Sequence, residues 1–365
     1  MKSINFIPET AEQKEFVSEL KKNVKKYFAE QGISTKANFK MVVKTVILIS
    51  LYLAPFFILL FASVPGWFAI VLVILSGLGV AGIGMGVMHD ACHGAYSKRK
   101  WVNDVLGGTN YLLGSNALNW VLQHSVLHHS FTNIAGMDED IDVKGLIRMS
   151  ETTPLKKVHR YQHYYVFFLY GLMTLSMLFK DFEKLYHYNK EGLLVSQNKK
   201  IKSELTKMIV RKLLYIFVAI VLPILITDYT WYQVLFGFFL SHWVASVILS
   251  FIFQLAHVVD GPELSVETET IPNDWHVHQL KTTANFARNS KFLGWYLGGL
   301  NFQVEHHLFP SICHVHYSKL APIVEATAKQ FGIPYHVNKT LGSALLSHLR
   351  HLKNLGRNEQ ISAVG

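Results

Sequence analysis

The stretch Trp67-Phe-Ala-Ile-Val-Leu-Val-Ile-Leu-Ser-Gly-Leu-Gly-Val-Ala-Gly-Ile-Gly-Met-Gly-Val-Met88-His89-Asp-Ala-Cys-His93 runs from an uncharged apolar segment straight into a pair of histidines. Read as a helix, residues 67–88 form a membrane span with an aromatic at its start, and His89 lies where that span leaves the bilayer. His89 and His93, at i and i+4, then stack on one helical face. The stretch therefore asks for a membrane frame and for a metal site at its edge.

Working outward, residues 41–63 are a second apolar run whose only charge is Lys44. At 1.5 Å per residue it reaches about 35 Å, enough to cross a bilayer. The turn Val64-Pro65-Gly66 closes the two runs into a hairpin. Further on, residues 208–227 and 231–257 are two more runs, joined by Asp228-Tyr229-Thr230. Neither turn carries Lys or Arg, while the three remaining segments are rich in both, so the positive-inside bias puts both termini in the cytoplasm.

Residues 105–122, rich in Gly and Asn, read as buried or dipping rather than spanning. Residues 164–179 are short and aromatic-rich and read as an interfacial helix; a span there would reverse the side of everything downstream. Residues 180–207 are strongly basic and read as cytoplasmic. Residues 1–40 hold an amphipathic basic helix with Phe16, Leu20, Val24 and Phe28 on one face, lying on the membrane or on the domain. The expected fold is all-α and integral to the membrane. A domain over 41–338 has four transmembrane helices in two hairpins under a cytoplasmic helical cap, and 339–365 form a cytoplasmic tail.

Composition agrees. Half of the 365 residues are hydrophobic and only 16% are charged, too apolar for an ordinary soluble domain. The net charge of +10 sits beside the spans, as membrane flanks do, and no nucleic-acid partner is expected. Cys92 and Cys313 make no disulfide framework, and the N-terminus has no signal-peptide core.

Two further clusters follow His89 and His93. Trp120-Val-Leu-Gln-His124-Ser-Val-Leu-His128-His129-Ser-Phe-Thr-Asn133 carries His at i, i+4 and i+5. On an α-helix His124 and His128 share a face and His129 is turned about 100° away. Gln303-Val-Glu-His306-His307 places Gln303, His306 and His307 at i, i+3 and i+4. By the span reading all three clusters lie on the cytoplasmic side. Imidazole suits iron, copper, zinc and nickel, and the spacing allows one metal or two.

With these residues in view the chain resembles membrane fatty acyl desaturases. His89-Asp-x-x-His93, His124-x-x-x-His128-His129 and Gln303-x-x-His306-His307 are similar to that family's three histidine boxes, and the likeness runs over roughly 38–338. Gln at the start of the third box resembles the front-end subgroup, which desaturates between an existing double bond and the carboxyl end. The resemblance implies two iron ions (Fe2+/Fe3+), O2 as cosubstrate, and a fatty acyl-CoA or acyl-lipid substrate. His-Pro-Gly-Gly, the mark of a fused cytochrome b5 domain, is absent, so a separate donor of ferredoxin or cytochrome b5 type is expected.

The boxes give seven ligands, His89, His93, His124, His128, His129, His306 and His307. His257, at the end of the fourth run, is the expected eighth, with His276 or His278 next in line. Gln303 would ligate directly, act through water, or only hydrogen-bond. Asp90, Asn133, Asp138, Asp140 and Glu305 are expected to orient imidazoles. Trp275, Gln279, Thr283 and Asn285 resemble a front-end pattern and are placed on the substrate path.

His242 lies roughly 22 Å back along the helix from His257 and is read as hydrogen-bonded within the bundle or near substrate. His159, His163, His314 and His316 read as structural. Lys98, Arg99, Lys100, Arg148, Lys281 and Arg288 either meet CoA phosphates or flank the membrane.

Two other functions compete. A related di-iron hydroxylase or carotenoid-type oxygenase shares the boxes and would leave oxygen in its product. A His-rich metal carrier would set its ligands along a path inside the spans, whereas all the candidates except His242 lie at or beyond span ends.

Overall fold

Four helices carry the apolar runs in a computed structural model that describes residues 4–141, 145–265 and 269–358. In chain order the helices used below are α1 (Ala11–Gln31), α2 (Phe39–Phe61), α3 (Gly66–Cys92) and α4 (Ala117–Trp120, continued by Val121–His128). There follow α5 (Lys157–Tyr170), α6 (Met173–Lys190), α7 (Ile201–Ile226) and α8 (Trp231–His257). The last are α9 (Trp275–Thr282), α10 (Gln303–Leu308), α11 (Tyr317–Gln330) and α12 (Leu341–Leu355). Two short parallel pairs, Asn5–Phe6 with Thr270–Ile271 and Ala284–Phe286 with His336–Asn338, tie distant segments together.

Helices α2, α3, α7 and α8 are each long and apolar enough to cross a membrane. The central one is α3, and its glycines explain why. A Cβ on Gly79 would fall 2.6 Å from the backbone nitrogen of Tyr52 in α2, and one on Gly77 would fall 2.7 Å from Ser241 O in α8. Only hydrogen at these positions lets three backbones approach so closely, the usual device of membrane helix packing.

The observed spans begin and end somewhat differently from expectation. The expected 41–63, 67–88 and 208–227 become Phe39–Phe61, Gly66–Cys92 and Ile201–Ile226. α3 runs on to Cys92 because the His89–Cys92 turn continues the helix without a break. α7 starts seven residues early because helix formation continues through the basic end of the run, which carries Lys202 and Lys207. The expected single helix over 164–179 is instead the pair α5 and α6, bent by 86° at their junction. Residues 105–122 do not span: they form the short helix Lys100–Gly107, a 3-10 stretch Gly108–Leu113 and the start of α4.

α1 rests on the protein. Phe16, Leu20, Val24 and Phe28 are buried against Leu308 and against Leu320 and Val324 of α11. Each large side chain so buried stabilises the contact by about 1.5–3 kcal/mol. Between the two hairpins lies an apolar cavity of about 590 Å³, with Tyr52, Val80, Tyr215 and His242 among its lining residues. Asp142 and the C-terminal 359–365 lie outside the described residues.

Candidate metal centre

Four separate parts of the chain deliver imidazoles to one place. The end of α3 gives His89 and the residue that caps it, His93. α4 gives His124 and His128, with His129 capping it; α8 ends on His257, and α10 gives His306 and His307.

The backbone of α4 departs from the expected geometry. Val121–His128 is π-helical, and the His129 amide donates to His124 O at 3.0 Å, an i to i+5 bond. In such a turn residues five apart lie nearly one above the other. His129 is therefore not turned away: its Nε2 is 3.3 Å from Nε2 of His124.

The ring nitrogens fall into two groups, each close enough to hold one ion. His89, His93, His124 and His306 form the first, and His128, His257 and His307 the second, with ligand atoms in each within 4.8 Å of one another. His129 stands at the first group, 2.9 Å from His306 Nε2, while its ring stacks 4.4 Å from that of His307. Seven imidazoles of the three boxes and His257 are thus brought together.

Several of the rings are held on their Nδ1 side, whereas His129 Nδ1 is buried without a partner. Asp138 accepts from His128 Nδ1 at 2.9 Å through either oxygen, and Asp140 lies 3.6 Å from Nδ1 of both His124 and His128. Gln279 Oε1 accepts from His307 Nδ1 at 2.9 Å, and Thr282 O accepts from His257 Nδ1 at 3.2 Å. Tyr317 Oη lies 3.3 Å from His306 Nδ1. With Nδ1 engaged, Nε2 is the nitrogen left to bind a metal, the usual arrangement around metal-bound histidine.

Charge sets His128 apart from the other rings. Burial, and then the neighbouring imidazoles, hold His93, His129, His306 and His307 well below the ordinary histidine range. These rings are neutral and offer lone pairs. Burial also opposes protonation of His128, but Asp138 and Asp140 outweigh it and raise that group to about 9. A metal cation would answer the same two carboxylates. The nitrogens fit an ion in a second way. His93 Nε2 and His307 Nε2 are buried without a hydrogen-bond partner, and His89 Nε2 faces His124 Nε2 at 3.1 Å. A donor set of imidazoles with open positions suits iron, copper or zinc.

Several other expected residues take different places. Asp90 touches no imidazole of either group; its carboxylate accepts from His314 Nδ1 at 2.8 Å, because the α3 turn points it toward residues 313–314. Glu305 also faces away, accepting from Tyr335 at 2.7 Å and Asn285 at 2.9 Å, and burial lifts its carboxyl to about 7. Asn133 adopts a left-handed turn (φ 54°) and bonds the backbone oxygens of His257, Glu263 and Thr282, holding the end of α8 rather than an imidazole.

Of the residues placed on the substrate path, Gln279 meets His307, and Trp275 Nε1 donates to His129 O at 3.2 Å. Asn285 Oδ1 accepts from Val304 N at 2.9 Å and fastens α10. Thr283 is buried, its hydroxyl unpartnered. Gln303 is buried one turn before His306, and its amide makes no hydrogen bond among the described residues.

Other candidates make their hydrogen bonds away from the two groups. His276 bonds Asp274, His278 bonds Thr132 O and His159 bonds Gly145 O. His242 lies between Thr174 and Tyr215 at 2.7 and 2.6 Å, on the wall of the cavity. Arg148 is buried on the carbonyls of Glu151, Thr153 and Leu355, so no phosphate reaches it. Tyr317 was not foreseen, because nothing in its spacing from His306 marks it as a partner.

A family profile described as fatty acid desaturase matches residues 65–339. The chain is 32% identical over 359 residues to an sn-1 linoleoyl-lipid 6-desaturase of Arthrospira platensis, covering 96% of this chain and 95% of that one. It is 35% identical over 357 residues to an acyl-lipid (8-3)-desaturase of Physcomitrium patens, covering 96% and 73%. An sn-1 linoleoyl-lipid 6-desaturase of Synechocystis sp. (strain ATCC 27184 / PCC 6803 / Kazusa) is 33% identical over 345 residues, covering 93% and 94%.

Proposed function

This chain belongs to the fatty acid desaturase family, and from that premise we propose that its eight imidazoles hold two iron ions that serve O2-dependent desaturation of an acyl chain. One observation carries the reading: four distant segments, two of them the ends of the membrane-length helices α3 and α8, bring buried imidazoles into two adjoining groups. His89, His93, His124 and His306, with His129 beside them, hold one ion; His128, His257 and His307 hold the other.

The bound irons supply an oxidant strong enough for an unactivated C–H bond. The reaction balances when –CH2–CH2–, O2, two electrons and two protons give –CH=CH– and two waters. The electrons come from a carrier of ferredoxin or cytochrome b5 type.

The chain's own residues orient and enclose. Asp138, Gln279 and Thr282 O fix the tilt of His128, His307 and His257 through Nδ1. Burial of His307 and Gln279 keeps bulk water from the centre. Gln303, one turn from His306, would hold the ion directly or through a water. The spans present an apolar entrance to a substrate that lives in the bilayer. Because the turns at 62–65 and 227–230 lack Lys and Arg, both termini and the centre face the cytoplasm.

The substrate is an unsaturated acyl chain, and the new bond is cis and on the carboxyl side of an existing one. The relatives' names specify acyl lipids, which favours a glycerolipid-bound chain over a CoA ester. Expression in a host without polyunsaturates, fed linoleic or α-linolenic acid, tests this by mass spectrometric location of the new bond. New bonds only on the methyl side, or only in saturated chains, overturn the regiochemistry; an alcohol or ketone product overturns desaturation.

A further inference from the structure

Lys44 is a charged residue placed where a membrane helix should have none. It lies on α2, about a turn and a half in from the helix start, and is only 2% exposed. A lysine near a helix end ordinarily extends its ammonium to the interface. This one turns inward, and Nζ lies 2.9 Å from Nε2 of His314.

His314 passes the contact on. Its Nδ1 is 2.8 Å from Asp90 Oδ2, and the same oxygen accepts its backbone amide at 3.3 Å. The ammonium has only protons to give, so Nε2 accepts and Nδ1–H donates to the carboxylate. A neutral imidazole thus bridges a buried cation and a buried anion. The space is shaped for the amine: a Cβ on Gly86 would fall 3.1 Å from Nζ and 3.2 Å from Cε. Asp90, Cys313 and His314 have ligand atoms close enough to hold a metal, but the ammonium already brings positive charge to that spot.

Asp90 sits between His89 and His93 on the turn that reaches the first group of imidazoles. We infer that Lys44, relayed through His314 to Asp90, is a positioning residue that holds this turn, and with it His89 and His93, in register for the first ion. The inference rests on the two-iron reading. An uncompensated carboxylate there would be costly, and the turn would move to relieve it.

The test uses the full chain in detergent. Lys44→Met keeps bulk and removes charge; Asp90→Asn removes the opposite charge and keeps an acceptor for His314. Lys44→Met alone should weaken iron binding at one of the two sites about 10–100-fold, the scale of outer-shell losses. kcat should fall in parallel, with KM for the acyl substrate unchanged. The Lys44→Met/Asp90→Asn double variant should regain most of the iron, and its metal-free melting temperature should rise above that of Lys44→Met. Full iron and wild-type kcat in Lys44→Met overturn the inference. So does a double variant no better than the single in iron content, melting temperature or folded yield. If the wild type itself binds no iron, the two-iron reading fails, and the metal-free melting temperatures still decide whether Lys44 and Asp90 act as a pair.

Discussion

His128 depends on a carboxylate ten positions later. Asp138 reaches its Nδ1 only because Asn133 turns the chain back in the left-handed conformation, and the Asn133 amide also bonds Asp138. Asp138→Asn should keep the fold and lower iron affinity about 10–100-fold, measured by competition with a chelator. His128→Ala or His307→Ala should abolish turnover and remove about half the iron, since each belongs to the second group; full activity in either variant would refute the assignment. His242→Ala should leave iron intact and cost about 1–3 kcal/mol, because Tyr215 and Thr174 lose their partner. The imidazoles themselves were legible in the sequence because ligands that share a helix must recur at short intervals. Their partners were not. Asp90 and Glu305 neighbour ligands in sequence yet face elsewhere, while Gln279 and Tyr317 are brought in by tertiary packing that no local spacing records.

α4 shows how an element can redirect a motif. Three histidines at i, i+4 and i+5 read on an α-helix as two faces, but the π-turn over Val121–His128 makes one. No residue in that turn announces it, since its residues form α-helix equally well. The apolar runs were read more securely, because length and hydropathy alone decide whether a helix can cross a bilayer. Their ends drifted where helix formation outlasted the apolar pattern, as at Ile201. The face of α1 was also visible, though not what covers it. Its four apolar residues meet α11, so Phe16→Ala should lower stability by about 3–5 kcal/mol, seen as earlier thermal unfolding, with kcat unchanged in the folded fraction. An unaltered melting profile would mean that α1 only rests against the domain.

At the scale of the whole molecule, the proposed orientation follows from where lysines and arginines are missing. Single cysteines at Gly66 and Thr230, with Cys92 and Cys313 replaced, should react with an impermeant reagent from outside. Cysteines at Lys100 and Lys200 should react only after permeabilisation. Outside labelling near Lys200 would mean that the bent pair α5–α6 crosses the membrane, and the centre would then be split between two sides. The centre also has a history in time. His89 leaves the ribosome about two hundred residues before His307 does, on the order of 10–40 seconds at ordinary synthesis rates. During that interval the first hairpin has been made, while His306, in the same group as His89 and His93, does not yet exist. On the proposed two-iron reading, no complete seat for the ion exists until the last box is made. On that reading the metal is taken up only afterwards, and a cell short of iron is expected to accumulate full-length, metal-free protein, measurable as the apoprotein fraction in its membranes.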